Sequence, residues 1–363
     1  MITFESVTKR FPDGTVAADN LSFEVPEGEL VVLVGPSGCG KTTALRMVNR
    51  MIEPTGGSIS VNGQDTASVS APTLRRDIGY VIQQVGLFPH LTVAANVATV
   101  PSLIGWDKER TEERVRELID TVGLSQEVSN RYPRQLSGGQ QQRVGVARAL
   151  AADPPIMLMD EPFGAVDPIV RSLLQDEFLR LQRELKKTII FVTHDIDEAM
   201  KMGDRIAILN VGGILEQYAT PTDLLAEPTN DFVVDFLGAE RNLKRLALIP
   251  VSAVRPETGP SVSEDDTTER ARERAKEAGT DWVLAADAEK RVKGWIPLTS
   301  LDGQQRVGEA QIHPFDTFVT GDESLRAALD IMVESPLNVA VRVDGDGRYE
   351  GVVTHNTLTA ELE

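Results

Sequence analysis

The sequence is poor in cysteine and in positive charge, and each scarcity excludes a class of protein. Its 363 residues include one cysteine, Cys39, which excludes an intramolecular disulfide and a cysteine-based metal cluster. Asp and Glu number 55 against 37 Lys and Arg, which gives a formal net charge of −18. Generic binding to nucleic acid or to anionic lipid is therefore not expected, and any membrane attachment should be made through a protein partner.

Long apolar runs are also missing. No segment is long and apolar enough to span a bilayer, and no secretory signal pattern opens the chain, so we expect a cytoplasmic protein. The apolar content of 41% is that of a globular protein, and the length allows two or three domains.

Residues 35–42 match the phosphate-binding pattern GxxxxGK[ST]. Small residues there let successive backbone N–H groups turn toward one anion, Lys41 brings a charge to the β- and γ-phosphates, and the Thr42 hydroxyl can ligate Mg²⁺. An apolar run precedes the loop and a helical pattern follows it, so a helix N-terminus is directed at the phosphates. This context favours nucleotide binding over a ligand-free glycine turn, with Cys39 as a small filler. The predicted ATP-binding residues of this stretch are Gly35, Pro36, Ser37, Gly38, Cys39, Gly40, Lys41, Thr42 and Thr43.

Three later apolar runs also end in polar side chains. Gln83 follows residues 77–82, Asp160 and Glu161 follow residues 155–159, and His194 follows residues 188–193. Ligands bind at the carboxyl ends of the strands in open parallel α/β sheets, so we expect these side chains to line one edge with the phosphate loop. Each has an ordinary alternative, a satisfied loop residue or a turn, but their repetition at one kind of boundary favours a site.

The first strands leave one choice open. Residues 2–7 alternate like an edge strand, and residues 18–25 form a second alternating strand. Phe11 lies in the turn between them. It is either a core residue or an exposed surface on which a base stacks, and the sequence does not decide between them.

The stretch from about residue 88 to 152 has a helical pattern, and one of its helices begins with a Ser-Gly-Gly-Gln sequence. Ser137 is a good N-cap there, and the unpaired N–H groups behind it form a second anion site. That site has no partner lysine, so it can complete a phosphate site built elsewhere but hardly make one alone.

From about residue 241 the character changes, and a boundary rich in proline and acidic residues is followed by two similar halves. Residues 261–299 and 317–354 each read as strand, helix, strand and strand. An internal repeat of this order predicts two pseudo-symmetric lobes, which we expect to regulate and not to catalyse.

With these motifs in this order, residues 1–240 resemble the ATP-binding subunit of an ABC transporter. The most specific motif is Leu-Ser-Gly-Gly-Gln at residues 136–140, which resembles the signature of that family. The resemblance implies an α/β P-loop NTPase core with a helical subdomain at about residues 84–152. It also implies a homodimer that encloses two ATP with Mg²⁺, each between one subunit's phosphate loop and the other's signature.

The resemblance also implies roles for single residues. Phe11 would stack on adenine, Gln83 would sense Mg²⁺ and the γ-phosphate, Glu161 would be the base for the attacking water, and His194 the switch histidine. The implied metal residues are Thr42, Gln83 and Asp160. The implied catalytic residues are Glu161, His194 and Lys41. The implied signature residues, acting across the dimer, are Ser137, Gly138, Gly139 and Gln140, and Asp167 belongs to the loop that crosses the interface.

Residues 247–363 resemble an α+β pair of CBS modules, at about residues 247–301 and 307–363. An ATPase followed by such a pair is similar to the subfamily that imports quaternary-ammonium solutes: glycine betaine, carnitine, choline and proline betaine. Nucleotide-binding CBS modules usually carry an acidic residue shortly after the threonine of the last strand. Here Thr354 is followed by His and Asn, and Thr299 by Ser and Leu, which departs from that pattern.

The function implied is that of an ATP-hydrolysing motor on the cytoplasmic face of the cell membrane. Its partners would be membrane-spanning permease subunits and, indirectly, an extracytoplasmic substrate-binding protein, with no nucleic acid. The segment 85–100, next to Gln83, would face the permease. A motor for another solute such as an amino acid stays open. A non-transport ABC ATPase acting on DNA or the ribosome is opposed by the acidic charge and by the lack of a long heptad insertion at residues 84–136.

Overall fold

The computed structural model describes residues 1–82, 86–164 and 166–362. They form two compact units, Met1–Leu237 and Gly238–Glu363. Each unit is built around its own apolar clusters. None of the helices in the described ranges is long and apolar enough to cross a bilayer.

The first unit alternates strands and helices. Its strands are β1 (Ile2–Arg10), β2 (Val16–Val25), β3 (Leu30–Val34), β4 (Gly56–Val61), β5 (Gln64–Asp65), β6 (Ile78–Val81), β7 (Ile156–Asp160), β8 (Thr188–Val192), β9 (Arg205–Asn210) and β10 (Ile214–Ala219). Its helices are α1 (Lys41–Val48), α2 (Ala71–Arg76), α3 (Val93–Leu103), α4 (Lys108–Thr121), α5 (Gly138–Leu150), α6 (Pro168–Leu185), α7 (Ile196–Met202), α8 (Pro221–Ala226) and α9 (Asp231–Leu237).

A six-stranded sheet in the order β10-β9-β3-β8-β7-β6 forms the centre of this unit. All neighbouring strands are parallel except β9 and β10. Every residue of β3, β7 and β8 is buried, which explains their uninterrupted apolar sequences. The carboxyl ends of β3, β6, β7 and β8 therefore meet at one edge of the sheet.

The two faces of this sheet belong to different cores. In β3, Val31 and Leu33 pack with α1 and the second sheet, whereas Val32 and Val34 pack with the helices on the other side. Successive side chains of a strand point to opposite faces, so a five-residue strand serves both cores. Helices α3, α4 and α5 pack on one another in the predicted helical region, and α4 turns Val115, Leu118 and other apolar residues inward.

The second sheet of the first unit corrects one sequence prediction. Its order is β2-β1-β4-β5, so β1 is an interior strand and not an edge strand. Phe4 lies opposite Phe23 on one side and Ile59 on the other. The alternation of residues 2–7 reports one buried face of an antiparallel sheet, and that pattern is the same for interior and edge strands.

The second unit has helices α10 (Arg241–Leu248), α11 (Thr268–Ala278), α12 (Leu325–Glu334) and α13 (His355–Ala360), and strands β11 (Ser261–Ser263), β12 (Trp282–Ala286), β13 (Val292–Pro297), β14 (Ala340–Val343) and β15 (Tyr349–Val353). It begins at Gly238 and so includes α10, which begins before the predicted CBS modules. Leu246 of α10 is buried in the same cluster as Leu325, so residues 238–246 belong to this unit.

The internal repeat is present in the backbone pairing. β11 is parallel to β12, which is antiparallel to β13; in the second half Val319 makes a parallel bridge to Arg342, and β14 is antiparallel to β15. The segment before each half pairs with the last strand of the other, through Glu257 with Val352 and His313 with Trp295.

A glycine in the last strand of each half, β13 and β15, makes room for this pairing between the halves. A Cβ on Gly294 would lie 2.1 Å from the carbonyl oxygen of His313, and one on Gly351 would lie 2.7 Å from that of Glu257. Their φ angles of 159° and 152° are also unfavourable for other residues. The same requirement in both halves places a glycine at matching positions of the repeat.

Candidate functional site

The predicted phosphate-binding loop, residues 35–42, connects β3 to α1 and packs closely against β2 and β9 on one side. A Cβ on Gly35 would lie 2.0 Å from the carbonyl oxygen of Leu209, and one on Gly40 would lie 1.8 Å from that of Ala17. Gly38, by contrast, has no atom within 4 Å of such a position. The loop is therefore fixed by neighbouring strands on one side and open on the other, as a phosphate cradle requires.

Lys41 begins α1 and lies within the loop. Its side chain is buried, and Nζ donates hydrogen bonds to the carbonyl oxygens of Gly35 at 2.7 Å and Pro36 at 3.0 Å. The Cys39 thiol is buried beneath the loop, 3.5 Å from the same nitrogen. The ammonium group thus lies at the cradle, held by carbonyl oxygens that can release it to a more strongly accepting phosphate.

Thr42 and Asp160 join the phosphate loop to the end of β7. The Thr42 hydroxyl donates to Asp160 Oδ1 at 2.9 Å, and Asp160 is almost fully buried. Burial raises the pKa of Asp160, and the neighbouring Glu161 raises it further, against the hydrogen bond from Thr42 and the charges of Arg46 and Lys41. A divalent cation here would stabilise the ionised carboxylate.

The described residues contain no cluster of three or more His, Cys, Asp or Glu side chains that could hold a metal ion. The oxygen donors here are the Thr42 hydroxyl and the buried Asp160 carboxylate, with the partly exposed Glu161 carboxylate beside them. This small oxygen set fits Mg²⁺, which keeps several waters and binds through few protein ligands together with substrate phosphates. It does not fit a metal bound by the protein alone.

Glu161 and His194 meet at the ends of adjacent strands. Glu161 Oε1 lies 3.3 Å from His194 Nδ1, with 21% of the Glu161 side chain and 61% of the His194 side chain exposed. The Glu161 backbone N–H donates to the Val192 carbonyl oxygen at 3.0 Å, which ties β7 to β8 at this point. Glu161 also has a φ of 45°, a left-handed conformation that a non-glycine residue adopts at a cost and that is common at functional sites.

Gln83 lies outside the described residues, as do positions 84 and 85. The segment that follows is organised by Asn96 of α3, which is fully buried. Its side chain accepts a hydrogen bond from the Phe88 N–H and donates to the carbonyl oxygens of Phe88, Leu91 and Thr92. Our sequence analysis missed Asn96, although a single amide among the apolar residues of α3 was a visible signal.

Phe11 is partly exposed. It lies in the turn between β1 and β2, belongs to neither apolar cluster of the first unit, and has Lys9 Nζ 5.3 Å from its ring centroid. Because the ring is accessible, it can stack on a base.

The Ser-Gly-Gly-Gln sequence opens α5 as a capping box. The Ser137 hydroxyl accepts from the Gln140 N–H at 3.3 Å, and Gln140 Oε1 accepts from the Ser137 N–H at 3.0 Å. Ser137 and Gly138 are exposed, and Gly138 has open space around it. The helix N-terminus is therefore preorganised and accessible from outside. Asp167 is exposed too, immediately before α6.

Comparison with known proteins matches both units. An ABC transporter profile matches residues 18–164, and a CBS domain profile matches residues 312–363. The osmoprotectant import ATP-binding protein OsmV of Salmonella typhimurium is 45% identical, over 100% of this chain and 96% of that protein. The carnitine transport ATP-binding protein OpuCA of Listeria monocytogenes is 44% identical, over 99% of this chain and 91% of that protein.

Solved structures match the first unit. The dimeric structure of the bacterial ABC transporter cassette MJ0796 is 37% identical with a TM-score of 0.56, covering 61% of this chain and 99% of that one. A post-hydrolysis state of the same cassette, bound to ADP and Pi, is 36% identical with a TM-score of 0.56 over the same shares of the two chains.

Proposed function

This chain belongs to the family of ABC transporter ATP-binding subunits, and we propose that it powers the import of quaternary-ammonium osmoprotectants. The family and the α/β fold inferred from the sequence are thereby confirmed. The observation that carries the proposed solute class is similarity along the whole chain, second unit included, to subunits named for osmoprotectant and carnitine transport.

The phosphate cradle supports a site for ATP with Mg²⁺. The open side of the loop at Gly38 accepts the phosphates, and Lys41 exchanges its bonds to loop carbonyls for phosphate oxygens. Thr42 would hold Mg²⁺, with Asp160 supporting it and Gln83 as the further candidate. When bound, the ion supplies neutralisation of phosphate charge.

Hydrolysis is phosphoryl transfer to water, so the protein contributes mainly positioning and charge. Glu161 orients the attacking water and takes its proton, and His194 contacts the γ-phosphate. The 3.3 Å separation of Glu161 Oε1 and His194 Nδ1 supports this division, because it places a base and a phosphate contact beside each other.

The exposed signature supports a site shared between two copies of the chain. The N-terminus of α5 offers free N–H groups but no lysine, so it needs a phosphate loop from elsewhere. A similar cassette is dimeric. Two copies would bind two membrane-spanning permease subunits at the cytoplasmic face of the membrane, with a substrate-binding protein on the other side.

The solute class is tested by reconstitution with the permease and binding protein that assemble with this chain. We expect ATP-dependent uptake of labelled glycine betaine, carnitine or choline into vesicles. Lys41→Ala removes the loop cation and is the negative control, because it should abolish uptake. Uptake of an amino acid without any quaternary amine would contradict the proposed solute.

The second unit is proposed to regulate transport. Residues 241–363 carry 22 Asp and Glu against 15 Lys and Arg, and charge interactions at an exposed surface are screened within about 8 Å at physiological salt. A chain ending at Leu237, the end of the first unit, should retain basal ATPase activity in the assembled transporter and lose its dependence on salt or cytoplasmic nucleotide. An unchanged response to both would leave only a role in holding subunits together.

A further inference from the structure

A buried polar contact joins α6 to α7 behind the proposed hydrolysis site. Gln175 Nε2 donates to Glu198 Oε1 at 2.9 Å, and only 6% of Gln175 and 8% of Glu198 is exposed. Both helices otherwise pack through apolar residues such as Leu174, Phe178 and Ala199. Burying a carboxyl group and an amide in such a core is costly unless they are hydrogen-bonded, and this contact provides that hydrogen bond.

Glu198 is also linked to the residues on both sides of His194, which are Thr193 and Asp195. The Thr193 hydroxyl accepts from the Asp195 N–H at 3.1 Å, and the Asp195 carboxylate accepts from the Glu198 N–H at 3.2 Å. The Thr193 backbone N–H is bound to the Leu33 carbonyl oxygen at 3.2 Å, at the end of β3. The two neighbours of His194 in the chain are thus bound to each other, and Asp195 is bound in turn to the backbone of Glu198.

Gln175 connects this contact to the interface loop at residues 166–167, because Gln175 belongs to α6 and the loop directly precedes that helix. Helix α6 begins at Pro168, directly after Asp167, and the Arg171 N–H donates to the Asp167 carbonyl oxygen at 2.7 Å. The Arg171 guanidinium donates to the Val166 carbonyl oxygen at 3.2 Å. Gln175 lies one turn further along the same helix, so a shift of this loop that moves α6 also moves Gln175.

We propose that Gln175, Glu198 and Asp195 form a positioning network that holds His194 beside Glu161 and couples it to the interface loop at residues 166–167. The proposal rests on the proposed function, in which His194 contacts the γ-phosphate. These three residues lie outside the proposed nucleotide contacts. They fix the backbone on both sides of His194, and a displacement of about 1 Å at such a contact can cost about 100-fold in rate.

The network is tested in the assembled transporter by removing hydrogen bonds at constant side-chain length. Gln175→Met and Glu198→Met should each lower kcat about tenfold, with KM for ATP changed less than about twofold because the phosphate loop is intact. Since the residues act as one unit, the double variant should be no slower than either single variant. Glu198→Gln, which keeps an acceptor for Gln175 and the backbone N–H bound to Asp195, should restore kcat to within about threefold of the wild type.

A second link between the same helices provides the control. Asp176 Oδ1 and Lys201 Nζ form an ion pair at 2.7 Å, but this pair is at the surface, with 60% and 33% of the side chains exposed. Asp176→Asn should leave kcat within about twofold, since exposed ion pairs contribute little.

Two results would overturn the network. One is an unchanged kcat in both Met variants. The other is a loss of kcat that merely follows a loss of folded, ATP-binding protein, as measured by nucleotide-binding stoichiometry, because that would indicate a structural role alone. Failure of the proposed function would be distinguishable, since Lys41→Ala would then leave ATP turnover unchanged as well.

Discussion

Replacing Glu161 with Gln should slow ATP turnover by about 1,000-fold while ATP binding persists, because general-base catalysis contributes about 100- to 10,000-fold. The amide keeps the shape of the side chain but cannot take a proton from water. The Lys41 contacts and the Thr42–Asp160 hydrogen bond lie on other side chains and stay in place. The variant should therefore accumulate as an ATP-bound dimer, which single-turnover kinetics and light scattering can measure.

A Glu→Gln substitution at a surface position of the first unit shows whether the slower turnover is specific to Glu161. Glu184 of α6 is 60% exposed and pairs with Arg180 at the surface. Glu184→Gln should leave turnover within about twofold of the wild type. Wild-type turnover in Glu161→Gln would refute the assignment of Glu161 as the base, whatever its distance from His194.

The placement of several candidate site residues at one sheet edge was predictable because these residues follow buried strands. The apolar runs that become β3, β7 and β8 are long enough to identify, and each ends in a polar or small residue. A parallel sheet brings such ends together. The geometry joins Thr42 to Asp160 and Glu161 to His194, residues separated by 118 and 33 positions.

The sequence could not show which strands and helices lie next to one another in the fold. The alternation of β1 specifies a buried face but not the two strands beside it. Gln175 and Glu198 lie on separate helices, and the helical pattern does not reveal that their polar side chains meet. The packing of α10 within the second unit is hidden from the sequence for the same reason. Leu246 belongs to that unit because of a contact with a residue far along the chain.

Replacing Ser137 with Arg should lower ATP turnover by about 100-fold or more, an effect comparable to losing a stabilising donor for transferring charge. The substitution removes the capping box and places a long side chain over the open N-terminus of α5. Ser70 caps α2 in the same way, its hydroxyl accepting from the Thr73 N–H. Ser70→Arg is the matched control, and it should cost only the stability of a lost cap, about 1 kcal/mol, without a comparable loss of turnover.

Mixing Ser137→Arg with Lys41→Ala then distinguishes a site shared between two chains from a site within one. In a shared arrangement the mixed dimer pairs an intact phosphate loop from one chain with an intact signature from the other, and so regains one working site. Random pairing makes half of the dimers mixed, so the recovered activity should approach about a quarter of the wild-type value if the sites work independently. Within single chains every site would contain a defect, and the mixture would stay as inactive as its components. ATPase assays after co-refolding or subunit exchange measure the difference, and an inactive mixture with mixed dimers demonstrably present would contradict the shared site.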